Sequence, residues 1–182
     1  MLSDKNLSKL GFRYGANGTH AARTMMLDEL RILLDHTDAE ASREQYAAVI
    51  VDDNILGKPT RKARELTLRH MIALYSLDTA NPIFRALRRL WPLREAAQPM
   101  LALSVALARD PLLRATQDFV LGHQTGAVAP RDAVEDLLAK SYPDRFSPAS
   151  LKSFAQNVAG TWTAAGLLTG RRHKTRSQPQ AY

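Results

Sequence analysis

The chain has 182 residues, no cysteine and a formal charge of +7. This is long enough to bury a real core, and the missing cysteine excludes disulfides, thiolate metal sites and cysteine nucleophiles. The charge is segregated: residues 58–94 hold 9 basic and 2 acidic side chains and residues 170–182 hold 4 and none, against 6 and 9 in residues 1–57 and 6 and 7 in residues 95–169. Concentrated basic segments attract polyanions, whereas a diffuse excess mainly serves solubility.

Taken in chain order, Thr19 is placed to cap a helix running to about residue 36, with Ala22, Met26, Leu30 and Leu33 on one face. Asp38 begins a second helix that ends near Asp53. Residues 54–59 then read as a turn leading to Thr60 and a helix through about Tyr75, which makes the pair a candidate helix-turn-helix.

Proline marks the next helix starts, because its ring pre-sets the helical φ and removes an amide that has no partner there anyway. Asn81-Pro82, Asp110-Pro111 and Ser147-Pro148 each pair a capping residue with that proline, and Ala129-Pro130 marks a start without the polar cap. In residues 82–91 the pattern sorts Ile83, Phe84, Leu87, Leu90 and Trp91 to one side and Arg85, Arg88 and Arg89 to the other. Residues 93–109 are nearly uncharged after Glu95 and predict a central core helix started or kinked by Pro99. Leu112, Leu113, Phe119 and Val120 make a further stripe, and Val134, Leu137 and Leu138 a short one before the break at Tyr142-Pro143.

The last helix, from Ser147 to about Ala165, buries Leu151, Phe154, Ala155, Val158 and Trp162 and leaves Ser153, Gln156, Asn157, Gly160 and Thr163 as a small polar face. Gly166 ends it. Residues 167–170 followed by Arg171-Arg172-His173-Lys174 have the layout of a strand, a tight turn and a basic return, which is how a wing is built, and disorder is expected from about Ser177. The expectation is an all-α, multi-helix bundle with helix-turn-helix and winged-helix-like parts and one short C-terminal β-wing. Its halves are residues 1–78 and 79–182, as two lobes or one compact unit.

Residues 100–108, the longest apolar run, are broken by Ser104 and fall short of the roughly 20 residues a membrane span needs. The early polar stretch 11–19 leaves no room for a secretory h-region, so a cytoplasmic address without membrane contact is expected. No dinucleotide, phosphate-loop, zinc-protease or serine-hydrolase motif occurs, and the histidines at 20, 36, 70, 123 and 173 lack ligand spacing. Asp52-Asp53 reads as helix-end capping, and no acid follows Asp144 to complete a nuclease-like carboxylate set. No catalytic residue, metal or cofactor is assigned.

Binding candidates remain. Lys58, Arg61, Lys62, Arg64 and Arg69 cluster at and after the start of the residue 60–75 helix, where free amides and the helix dipole favour anions; the same residues would also suit a solvated face with an Arg61–Glu65 pair. Arg85, Arg88 and Arg89 have no acid between Asp78 and Glu95 to neutralise them. Arg171, Arg172 and Lys174 follow a helix whose polar face is narrow enough to enter a DNA groove.

Asp52-Asp-Asn-Ile-Leu-Gly-Lys-Pro-Thr-Arg-Lys-Ala-Arg64, continuing through Leu68-Arg-His-Met-Ile-Ala-Leu-Tyr75, resembles the BrxA family of bacterial phage-exclusion (BREX) systems. The resemblance continues through Asp110-Pro-Leu-Leu-Arg-Ala-Thr-Gln-Asp-Phe119 and residues 150–168. It implies a helical, non-enzymatic protein that binds double-stranded DNA beside other BREX components, with Lys58, Arg61, Arg64 and Arg69 at the matched basic positions. Duplex-DNA binding dominated by phosphate contacts is therefore the expected function. The alternatives are an RNA-binding helical protein of the antitermination-factor type and an adaptor docking on an acidic subunit of a defence complex.

Overall fold

Residues 4–15 and 17–179 are described by the computed structural model, and they are mostly helical. In chain order the elements are α1 (Asp4–Leu10), a 3-10 turn at Thr19–Ala21, α2 (Leu27–His36), α3 (Arg43–Val51), α4 (Arg61–Tyr75) and α5 (Pro82–Leu90). Two 3-10 turns then lead into α6 (Gln98–Arg109), α7 (Pro111–Arg114), α8 (Gln117–Gly122), α9 (Arg131–Ser141) and α10 (Pro148–Ala164). The hairpin β1 (Leu168–Thr169) and β2 (Thr175–Arg176) closes the chain, paired antiparallel with Leu168 opposite Arg176.

The proline-marked starts have a direct structural cause. Asn81 Oδ1 accepts from the Phe84 amide, Asp110 Oδ1 from those of Leu112 and Leu113, and Ser147 Oγ from that of Ser150, so each side chain satisfies an orphan donor of the helix it opens. Thr60 does the same for α4 through the Ala63 amide. Helix α10 stops where expected: the amide of Gly166 (φ +78°) donates to Thr163 and that of Leu167 to Trp162, a left-handed cap of Schellman type.

One apolar cluster runs from Met25 to Leu168 and draws on both halves of the chain. At its centre α6 buries Ala102, Leu103, Val105 and Ala106 against α4 and α5, and Tyr46 meets Phe84 edge-on at 5.6 Å.

Arginine is part of this interior, because helix C-termini leave carbonyls unpaired at the negative end of the helix dipole. Arg64 donates to Val51 O at the end of α3, and Arg88 to Leu34 O and Thr37 O at the end of α2. Arg109 reaches Ile72 O and Ala73 O in the last turn of α4 as well as Gly11 O, and Arg114 reaches Leu107 O and Ala108 O in α6. Burial, with Arg13 and Arg43 nearby, lowers the Arg109 pKa to about 10, which still leaves it charged at neutral pH.

Three expectations are corrected. The helix foreseen from Thr19 to residue 36 is interrupted between Ala21 and Leu27, with Met26 in the left-handed region (φ +53°). Long-range bonds win there over local propensity: the His20 amide is drawn to Asp110 and the Met25 amide to Thr161. The helix assigned to Asp38 begins instead after Ser42, where Ser42 and Gln45 form a capping box. Ser177 is not free: its amide donates to Leu167 O and its hydroxyl to Gly166 O.

Candidate nucleic-acid interface

The C-terminal third assembles α8, an extended stretch around Val128, α9, α10 and the hairpin. Val128 bridges Thr175 antiparallel, and the Ala129 amide donates to Lys174 O, so the stretch flanks β2 on the side away from β1. A helix, an extended stretch, two helices and a hairpin thus follow one another in this order. Helix α10 is seated by Phe154, Ala155, Val158 and Trp162, all buried, and the Trp162 indole donates to the Thr116 hydroxyl at 3.0 Å.

Between the hairpin turn, the start of α9 and the middle of α10 lies a cleft of about 860 Å³. Arg171, Arg172, His173 and Lys174 line one side, Gln156, Ala159 and Gly160 another, and residues 128–132 the third. Arg171 and Arg172 are exposed and make no ion pair among the described residues. Lys174 is folded back, its Nζ donating to Gly170 O at 2.7 Å, so it closes the hairpin. Arg131 is paired with Glu135 at 3.0 Å, and Asp132 contributes one acid to the lining.

The polar face of α10 is narrower than its spacing suggests. Ser153 and Gln156 are exposed, with Lys152 beside them. Asn157 is turned inward, its amide donating to His20 O at 3.0 Å, and Thr163 donates to Ala159 O. At Gly160 the helix presses on the N-terminal segment: a Cβ there would stand 3.1 Å from Cγ2 of Thr24.

The basic residues around α4 divide into committed and free. Lys58 Nζ is 3.0 Å from Glu29, Arg61 pairs with both Asp52 and Glu65 at 3.2 Å, and Arg64 is held on Val51 O. Lys62 and Arg69 are exposed and without an ion pair among the described residues. Burial lowers the pKa of His70, and the charges of Arg23 and Arg69 lower it further.

The expected arginine face of α5 is corrected at its middle. Arg88 is only 8% exposed and clamps the end of α2, while Leu90, assigned to the core, is 46% exposed. Arg85 is half-buried and donates to Thr79 O at 3.0 Å, which leaves Arg89 as the freely exposed arginine of the three. Of the eleven candidates, Lys62, Arg69, Arg89, Arg171 and Arg172 therefore present an uncommitted charge among the described residues.

A second polar cluster sits in the interior. His20 Nδ1 is 2.9 Å from Asp110 Oδ2 and its Nε2 is 2.7 Å from Thr161 Oγ1, the connectivity of a hydroxyl, imidazole and carboxylate relay. Its members are 0%, 1% and 0% exposed for His20, Asp110 and Thr161, and the Thr161 oxygen already accepts the Met25 amide. With all three side chains buried, the relay acts as a clasp between the N-terminal segment, α7 and α10. Among the described residues no group of three or more His, Asp or Glu side chains is placed to hold a metal, and no helix is long and apolar enough to cross a membrane.

Neither a protein-family model nor a curated protein matches the chain.

Proposed function

We propose that this chain is a DNA-binding component of a bacterial phage-resistance system of the BREX type, gripping duplex DNA mainly through phosphate contacts and performing no chemistry of its own. The observation that carries the reading is the cleft of about 860 Å³ in which Arg171 and Arg172, without an ion pair among the described residues, face the exposed side of α10. A helix with a narrow polar face beside a basic hairpin is the arrangement that lays a helix in the major groove, roughly 12 Å wide, and the wing along the backbone. Gln156 and Ser153 are the polar groups α10 offers at that face, whereas Lys and Arg dominate around it, which favours affinity from phosphate neutralisation over base readout. The assignment to BREX rests on the resemblance of residues 52–75, 110–119 and 150–168 to the BrxA family, and a genomic-DNA ligand fits a cytoplasmic protein.

The test is a fluorescence-anisotropy titration of the full chain with a random-sequence duplex across a salt series, with structured RNA as competitor. Binding that weakens steeply with salt and withstands the RNA supports the proposal. Displacement by RNA moves the ligand to RNA, and an absence of binding at low salt leaves the basic surface to an acidic protein partner.

A further inference from the structure

We infer that the exposed edge of α5 and the turn after it, where Leu90 and Leu93 stand beside Arg89 and Arg94, is a docking surface for an acidic amphipathic helix of a partner protein. The inference stands apart from the DNA reading, because none of these residues lines the α10 cleft.

Helical spacing assembles the surface. The 3-10 turn Trp91–Leu93 follows α5 without a break, and the Trp91 amide still donates to Leu87 O. At about 100° per residue, Ala86, Leu90 and Leu93 fall within about 60° of one another, and Arg89 borders them on one side. Arg88 points the opposite way, where it is buried against the end of α2. Leu90 is 46% exposed and Leu93 74%, the most open large apolar side chain among the described residues. A single exposed leucine is ordinary, but here two stand one turn apart with the exposed Ala86 and Pro92 next to them, which makes a continuous apolar strip. The strip is also held ready. Trp91, between the two leucines, is 3% exposed, Pro92 fixes its own φ, and Gln98 donates to Trp91 O while accepting from Arg31 Nε at 3.2 Å. A partner therefore meets Leu90 and Leu93 without first ordering a loop.

Charge selects the occupant. Arg89 and Arg94 are exposed and make no ion pair among the described residues, and Glu95 is the one acid in residues 82–97. Helix α1, which packs against α5, carries Lys5 and Lys9 against Asp4. A second copy of the chain would lay this face on itself across a twofold axis and bring like charges together. A bilayer surface calls for a broad apolar helix face, whereas α5 spends Phe84 and Leu87 on the core. What fits is a helix whose apolar side chains, three or four residues apart, cover Leu90 and Leu93 while Asp or Glu beside them meets Arg89 and Arg94.

The experiment titrates the full chain into a fluorescein-labelled helical peptide of about 18 residues, with leucines along one face and glutamates on both sides of them. Two companion peptides carry lysine for every glutamate or serine for every leucine, and all are read by anisotropy at about 0.15 M salt. The acidic leucine peptide is expected to bind at least about tenfold more tightly than either companion. L90S/L93S should weaken it about tenfold or more, and R89E/R94E should reverse the preference towards the lysine peptide. If L90S/L93S melts earlier in urea than the unaltered protein, L93S alone carries the test, with a loss of about threefold or more. No binding of the acidic peptide up to about 0.5 mM overturns the inference, as does binding that ignores the leucine changes and is lost in R171Q/R172Q. Two further results would also overturn it by naming another occupant. One is pelleting with phosphatidylserine-containing vesicles that L93S abolishes while the peptide fails to bind, which assigns the strip to a lipid surface. The other is a dimer in sedimentation that L93S dissociates, which assigns it to a second copy.

Discussion

His20 stands 2.9 Å from Asp110 through its Nδ1, and its own backbone amide donates to the same carboxylate oxygen at 3.0 Å, across 90 residues of chain. Burial alone would raise the Asp110 pKa, but hydrogen bonding and charge from His20 and the Leu113 amide together hold it below the ordinary value. A carboxyl depressed in the folded state stabilises it above the unfolded pKa of about 3.9 and loses that contribution as pH falls through the folded value. The native protein should therefore lose stability below about pH 4. Asp110→Asn should be weaker at neutral pH by about 3 kcal/mol and should lack this part of the acid loss, because the pair is broken and a buried donor is stranded. Urea melts of both proteins at several pH values check it; equal acid losses in the two would remove Asp110 as the cause.

The spacing of Arg88 predicts a binding surface, whereas the fold holds it inside the protein. Its two terminal nitrogens bond Leu34 O and Thr37 O at 2.9 and 2.8 Å, which satisfies carbonyls at the end of α2. Arg88→Ala should cost about 2 to 4 kcal/mol, since charged hydrogen bonds are lost and buried acceptors are left bare. Arg89→Ala, at an exposed position, should leave the urea midpoint nearly unchanged. If the two variants melt alike, the clamp has no energetic weight.

That contrast shows what the sequence could and could not reveal. Capping and proline chemistry act within four residues, so the starts of α4, α5, α7 and α10 were readable, as were the left-handed stop at Gly166 and the hairpin around Gly170. Helix-end clamping acts over tens of residues: Arg64, Arg88, Arg109 and Arg114 look on the sequence like surface charge because their acceptors are backbone carbonyls, which leave no trace in side-chain pattern. The same limit explains the broken helix at 22–26, where Asp110 and Thr161 outcompete local propensity.

Gly170 sets the geometry of the wing. At φ +93° it occupies the left-handed half of backbone space, and a Cβ there would collide with the carbonyl oxygen of His173. Gly170→Val should open the turn that carries Arg171 and Arg172 while leaving the helices intact. The expected result is an unchanged far-ultraviolet helical spectrum with duplex affinity about 3- to 10-fold weaker, the loss being one of preorganisation. Unaltered affinity would mean that the turn need not be preformed to bind.

Charges that look equivalent by composition should behave differently according to whether they are already compensated. Arg61 pairs with Asp52 and Glu65 at 3.2 Å and Lys58 with Glu29 at 3.0 Å, so each would have to leave an acid to meet a phosphate. Arg61→Gln should change duplex affinity by less than about threefold and stability by less than about 1 kcal/mol, since an exposed pair is weak and screened. Arg171 and Arg172 have no such partner among the described residues and stand at the mouth of the cleft. Reversing both to glutamate should lower affinity about a hundredfold near 0.1 M salt, because it removes two attractions and adds two repulsions in the field of a dense polyanion. Anisotropy titrations of the two variants beside the unaltered protein decide the matter. Losses in proportion to the charge removed, one unit against four, would point to a diffuse field of net charge, whereas a loss confined to the arginine reversal would locate the grip at the wing.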